Sequence, residues 1–397
     1  MKILLLTQVL PYPPDSGPKV KTWNLIQYLA RQHEVTLVSF VRGDQSREVE
    51  QLRRFCAGVF TVPMERGALR DGVALLKSLV TGAPWVIARD ARGAMFRLVR
   101  EVSAREAFDA VHADQLNMAQ YALAARAGKK VLDTHNALWL LYRRMASTMP
   151  GGLLKRVYGR DWRLLRRYEG KMCQVFDAVL AVSEEDRRAL EEVSGTGRKF
   201  HVVPISVNTD EVRPVRRVAE AERIVTIGTM FWQPNVDGIV WFVQSVLPLI
   251  RREKPDAALD IIGARPPKEV VALAERDGLI RVTGYVEDPL PFLEQAGVMV
   301  VPLRAGGGMR VKILNALAQE LPVVTTSIGC EGIAVEHGRH VLIADTPAEF
   351  ARAVVQVLKD RSLASDLGRC GRRLIETLYD YRVACRPLDD IYPPDGK

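Results

Sequence analysis

The chain has 397 residues, 48% apolar and 26% charged, a globular composition that excludes a disordered or fibrous protein. That length exceeds one ordinary core and predicts two domains. A formal net charge of +9 points to an anionic partner, either a phosphorylated ligand or a membrane surface; with no zinc-finger spacing, RNP-like motif or basic tail, nucleic acid is not expected.

Lys2–Leu6 is a short apolar run, read as the first parallel strand of a doubly wound sheet. A loop with Pro11, Pro13, Pro14, Ser16 and Gly17 follows, then an amphipathic helix around Thr22–Arg31. Strands are expected at Glu34–Phe40, Gly58–Pro63, Ala110–Ala113, Lys130–Asp133 and Ala178–Val182, with helical segments from Ala68 through Ala104. The pattern breaks near Val203–Asp210. The alternation restarts with Arg223–Ile227, a helix at Val236–Arg252, Leu259–Ile262, Arg281–Thr283 and a helix at Pro289–Ala296. Val298–Leu303, Pro322–Thr326 and Val341–Ile343 read as further strands, and Pro347–Leu358 and Leu363–Leu378 as closing helices. Strands alternating with helices imply parallel sheets covered on both faces. The expected fold is α/β: two Rossmann-like, doubly wound domains facing across a cleft. Their boundaries are 1–205 for the first domain, 206–222 for a linker and 223–378 for the second. Residues 379–397 are expected to return to the first domain.

Five cysteines, never in a Cys-x-x-Cys pair, favour a reducing compartment over disulfides or a metal centre. The apolar N-terminal run breaks at Gln8 and Pro11, too early for a signal core, and no stretch is long enough to span a bilayer. The expected location is cytoplasmic.

The most informative segment is Ala305-Gly-Gly-Gly-Met-Arg-Val-Lys312, between an apolar strand and a helix. Glycines let a backbone approach a ligand, and a helix start presents unpaired N–H groups with partial positive charge. Arg310 and Lys312 add two full charges. The combination suits a diphosphate; the alternative is a glycine turn before a helix whose cations face water.

These residues resemble the donor motif of retaining glycosyltransferases of the GT-B fold, family four, the group 1 glycosyltransferases. The resemblance rests on Gly307-Gly-Met-Arg-Val-Lys-Ile-Leu-Asn-Ala-Leu-Ala318 with Leu321–Val324, and on Gly329-Cys-Glu-Gly-Ile333. Gly228-Thr-Met-Phe-Trp-Gln-Pro-Asn-Val-Asp-Gly238 is similar to the opening glycine loop of the second domain, and Gly284–Asp288 to the loop that receives the donor base. In the first half, Asp133-Thr-His-Asn136 and Val182–Asp186 match common family patterns. Gly307 and Asn315 stand where the family usually carries two glutamates; Met230, Trp232 and Asn235 occupy a loop where many members place an arginine and a lysine.

The resemblance implies transfer of a hexose-type sugar from a nucleotide diphosphate sugar to a hydroxyl acceptor, with retention and with neither metal nor cofactor required. Arg310 and Lys312 would stabilise the departing diphosphate, and His135 would contact the transferred sugar. Donor contacts would come from Gly17, Gly228, Val286 through its backbone, Gly307, Gly308, Met309, Asn315 at the ribose, and Glu331. Ser16, Asp114 and Asn136 would lie on the acceptor side. Each has a plainer alternative: a proline-glycine turn for Gly17, a structural histidine for His135, a solvated loop carboxylate for Glu331. Trp232 and Trp241 read as packing residues and His112 as structural.

The stretch Arg143–Lys171 holds nine cations against Asp161 and Glu169, interleaved with Trp162 and leucines. It reads either as a peripheral contact with an anionic membrane, where a lipid-linked acceptor would be met, or as a solvated helix face. Three rival functions remain. A dinucleotide oxidoreductase would need Gly-x-Gly-x-x-Gly after a first strand, which is missing. A nucleotide-sugar epimerase would need more carboxylates in the cleft. A non-catalytic nucleotide-sugar binder would fit Asn315.

Overall fold

The computed structural model describes residues 1–148, 151–195, 200–218, 221–230 and 232–393. Residues 219 and 220 of the polar stretch, Phe231 of the glycine loop, and the side chains of Leu153 and Leu154 lie outside the described residues. The chain divides into two compact units: Met1–Ile205 with the chain from Ala384 onward, and Ser206–Val383.

In the first unit seven strands form one parallel sheet: β1 (Lys2–Thr7), β2 (Glu34–Val41), β3 (Gly58–Pro63), β4 (Phe108–Asp114), β5 (Ala127–Asp133), β6 (Ala178–Ala181) and β7 (Phe200–Val202). Their order is β3-β2-β1-β4-β5-β6-β7. Both faces of the central strand are covered, which explains its unbroken apolar run. Leu4 and Leu6 pack with Val38 and Phe40 on one side, Ile3 and Leu5 with Val35 and Leu37 on the other. β7 was not anticipated: it has three half-buried residues at the sheet edge and so no apolar run to betray it.

The second unit has six parallel strands: β8 (Arg223–Ile227), β9 (Leu259–Ile262), β10 (Ile280–Gly284), β11 (Ala296–Val301), β12 (Val323–Thr325) and β13 (Leu342–Ile343). Their order is β10-β9-β8-β11-β12-β13. The strand order reverses at β1/β4 in one sheet and at β8/β11 in the other. Ligands of doubly wound sheets bind beyond the carboxyl ends of such pairs.

Several boundaries differ from expectation. The helix expected over Pro289–Ala296 is a single turn, Leu290–Leu293. Ala296 already opens β11, paired with Arg223, and a side chain at Gly297 would come within 2.6 Å of the Ala221 carbonyl. The helix expected over Val236–Arg252 is broken by a π turn, Phe242–Val246. Pro248 then sits in the first turn of the following segment, where its missing N–H costs nothing. The polar stretch Arg213–Glu222 lies along the second unit, with Val215 N donating to Gln319 O at 3.0 Å and Val218 N to Glu294 O at 2.8 Å. The return to the first unit falls at Ala384, not 379. Asp380 stays in the second unit, where it accepts from Thr209 Oγ1 at 2.6 Å.

The basic segment forms two helices, Leu138–Thr148 and Leu153–Val175. The second buries both its acids, Asp161 and Glu169, and leaves Arg156, Arg163, Arg166, Arg167 and Lys171 exposed. Among the described residues, no helix is long and apolar enough to cross a membrane.

Candidate functional site

Each unit carries one polar cluster at its switch point. In the second unit, β11 runs into Gly306–Gly308, and the Val311–Ala318 helix follows. Gly306 and Gly308 have φ of 126° and 79°, a region glycine enters without steric cost. A side chain at Gly306 would also strike Arg310 Nη2 at 2.7 Å. Arg310 occupies the N-cap position and its Nη1 donates to Gly307 O at 2.6 Å. Lys312, half-buried, donates from Nζ to Asn235 Oδ1 at 2.9 Å, and Asn235 Nδ2 donates to Thr229 O at 2.9 Å.

No carboxylate among the described residues lies within ion-pair distance of Lys312. Burial, and then the nearby Arg310 charge, draw its ammonium down from the ordinary value to about 7. Gly228, at the end of β8, lies against this pair: a Cβ there would sit 2.9 Å from Asn235 Nδ2 and 3.0 Å from Lys312 Nζ. Gly228→Ala should accordingly displace both groups and weaken nucleoside diphosphate binding about tenfold, with little change in melting temperature. Titration calorimetry on the purified variant checks this, and unaltered affinity would show that the two groups do not hold the ligand.

The structure thus brings together Gly228, Asn235, Gly307, Arg310 and Lys312. Met309 is buried beside them. Asn315 is half-buried on the same helix one turn further along, Glu331 is half-buried in the turn after β12, and Val286 follows the edge strand β10. Trp241 packs edge-on to Phe350 with ring centroids 5.7 Å apart, as a packing residue would. Trp232, read the same way, is instead 37% exposed.

In the first unit, Ser16 is the N-cap of the helix Gly17–Leu29 and both residues are half-buried. β4 ends at Asp114 and β5 at Asp133, which the register places side by side. His135 Nε2 lies 2.8 Å from Asp114 Oδ1, and Thr22 Oγ1 donates to the same carboxylate at 3.1 Å. His135 Nδ1 is buried and has no hydrogen-bond partner among the described residues. Asn136 is half-buried beside it. Gln115, immediately after Asp114, has φ 74° and ψ 153°, backbone space that is nearly glycine-only. Its N–H donates to Asp133 O at 2.8 Å, and strain of this kind gathers where function over-determines geometry.

Sequence reading missed the layer beneath. Asp133 is fully buried against Lys21, which is 2% exposed. His112 Nε2 lies 3.3 Å from Asp133 Oδ2, and His112 Nδ1 lies 2.8 Å from the hydroxyl of buried Tyr392. Burial raises the Asp133 pKa, but the Lys21 ammonium and then His112 outweigh it and hold the carboxyl well below its usual range. A lysine on the apolar face of the Gly17–Leu29 helix was the available signal. Ligand-type atoms of Asp114, Asp133 and His135 lie within 4.8 Å of one another. A cation there would have to compete with Lys21, Thr22 and His112 for the same oxygens.

Two family models match the chain: glycosyltransferase family 4 over residues 16–211 and glycosyl transferases group 1 over residues 221–360. An uncharacterized 44.6 kDa protein of the cps region of Klebsiella pneumoniae is 22% identical over 96% of each chain. The capsular polysaccharide biosynthesis glycosyltransferase CapM of Staphylococcus aureus is 28% identical over 27% of this chain and 29% of its own. Among solved structures, HepE of Anabaena in complex with UDP superposes with a TM-score of 0.69 at 14% identity, over 99% of both chains. With two parallel α/β sheets of matching fold and family models spanning both units, the chain belongs to the group 1 glycosyltransferases of the GT-B fold.

Proposed function

We propose that this protein transfers a sugar from a nucleotide diphosphate sugar to a hydroxyl acceptor with retention of configuration, in the assembly of a polysaccharide or related glycoconjugate. The observation that carries the reading is Lys312: a half-buried ammonium beside Arg310 and the glycine loop, with no carboxylate to balance it. Two cations set together at a glycine-lined helix start suit a diphosphate.

In the reaction, the bond from the anomeric carbon to the diphosphate oxygen breaks and a bond to the acceptor oxygen forms on the same face. The acceptor's proton passes to the leaving phosphate oxygen, so no separate protein base and no metal is invoked. Negative charge grows on the diphosphate as the bond stretches, and Lys312, Arg310 and the first N–H groups of the Val311–Ala318 helix stabilise it where it grows. In the same reading, Gly307, Gly308 and Met309 lie along the diphosphate, Val286 meets the base, and Asn315 and Glu331 meet hydroxyls. The unpartnered Nδ1 of His135 supports a contact with the transferred sugar, with Gly17 on the diphosphate and Ser16, Asp114 and Asn136 toward the acceptor.

The relatives' capsule-related names support the polysaccharide setting, and the UDP bound by HepE makes uridine diphosphate sugars the first donors to test. Incubation with such donors in the absence of acceptor should release nucleoside diphosphate slowly, with the anomeric configuration of the freed sugar read by NMR. Tight donor binding without any release would favour the non-catalytic binder, which the neutral Asn315 otherwise suits. For a lipid-linked acceptor, the cationic outer face of the Leu153–Val175 helix offers a contact with an anionic membrane.

A further inference from the structure

The helix Ala68–Thr81 is built inside out. Leu69, Val73, Leu76, Leu79 and Val80 are 58% to 89% exposed, while the side it buries carries Ala74 and Ser78. Leu69, Val73, Leu76 and Val80 follow the i, i+4, i+7, i+11 spacing, so they form one continuous stripe. A helix normally turns such a stripe to the core; scattered exposed leucines need no explanation, but a row of them on one face does. Arg70 and Lys77 flank it, both exposed.

The neighbouring helix supplies the second observation. Arg160 of the Leu153–Val175 helix reaches Ser78, donating from Nη1 to its hydroxyl at 3.0 Å and from Nη2 to its carbonyl at 2.8 Å. That bidentate contact docks the Ala68–Thr81 helix by the side opposite its stripe, so the stripe points outward next to the helix that bears the exposed Arg156, Arg163 and Arg167 and keeps its two acids buried. At the edge of this face, Arg143 and Arg163 lie over Trp162, 5.9 and 5.0 Å from its ring centroid, along a groove of about 410 Å³.

We infer that the Ala68–Thr81 helix is a membrane-inserting element: its Leu69–Val80 stripe enters the acyl boundary of an anionic bilayer while the adjoining cations of the Leu153–Val175 helix meet the head groups. The inference extends the reading of that basic face as a surface contact, but a separate helix carries it. Cations beside an apolar stripe match the two layers of an anionic leaflet. A second copy of the chain fits worse, since self-docking through this face would bring two sets of arginines together.

The test is vesicle co-flotation of the full chain on phosphatidylcholine with and without phosphatidylglycerol, at low and high salt. Expected is binding to the anionic vesicles, with Leu76→Glu/Val80→Glu lowering it by about tenfold or more. Melting temperature and nucleoside diphosphate binding of this variant should match the parent, because both side chains already face water. Arg156→Glu/Arg163→Glu should remove the salt-sensitive part. A Val73→Trp variant should be quenched by brominated acyl chains. Anionic vesicles that fail to float the parent, flotation indifferent to the glutamates, or an unquenched Trp would each overturn the inference. So would concentration-dependent self-association that the glutamates abolish while vesicles go unbound. None of these outcomes bears on donor turnover, which is measured without membranes.

Discussion

Replacing Lys312 with alanine should lower turnover about a hundredfold, equivalent to about 3 kcal/mol of barrier, while the ligand-free protein melts no earlier than the parent. The two halves of this expectation have one cause. Burial, and then the neighbouring Arg310 charge, make the Lys312 ammonium unfavourable in the empty protein, and its pKa falls from 10.5 to about 7. Between those values the unfolded chain binds more protons than the folded one, so the cost is complete below about pH 7 and is relieved as pH rises toward 10.5. Removing the side chain removes that cost.

A bound diphosphate reverses the balance by supplying the missing negative charge and raising the pKa again. Nucleoside diphosphate binding should therefore take up a proton near neutral pH and weaken as pH rises above about 7. Calorimetry in buffers of different ionisation enthalpy measures the uptake, which should vanish in Lys312→Ala. Turnover within a few-fold of the parent, in a folded variant, would take Lys312 out of the role assigned to it.

Asp133→Asn is expected to be the most damaging single change to stability in the first unit, at about 3–5 kcal/mol. It leaves the Lys21 ammonium buried without its carboxylate and loosens His112, which links that pair to Tyr392. For a unit of this size the loss corresponds to roughly 10 °C in melting temperature. Because most of the cost is an orphaned charge rather than a lost attraction, Asp133→Asn/Lys21→Met should recover much of it. A single variant that melts within a degree or two of the parent would show that Lys21 finds water or another partner.

Strand positions were legible because a parallel strand covered on both faces must be apolar at nearly every residue, as Ile3–Leu6 and Val298–Val301 are. Segments without that constraint were misplaced. β7 sits at an edge, the Pro289–Ala296 helix shrinks because Gly297 must lie against the Ala221 carbonyl, and the polar stretch Arg213–Glu222 has no periodicity of its own. In the candidate site, glycines followed by cations at a strand-to-helix turn are a local signal, and Gly307, Arg310 and Lys312 meet there. Asn235 as the partner of Lys312 was out of reach, since 77 residues separate them in the chain.

The amino-acid order alone therefore determined the buried parallel strands and the helix-start cation pair, because an unbroken apolar run and a glycine-then-cation turn are both patterns of residues close in the chain. Only the tertiary structure decided which charges go unbalanced. Lys21 finds Asp133 across 112 residues and is neutralised, whereas Lys312 finds an amide and is not. It also decided that the Ala68–Thr81 helix turns its leucines outward: periodicity specifies a stripe, and only packing says whether the stripe faces the core or the surroundings.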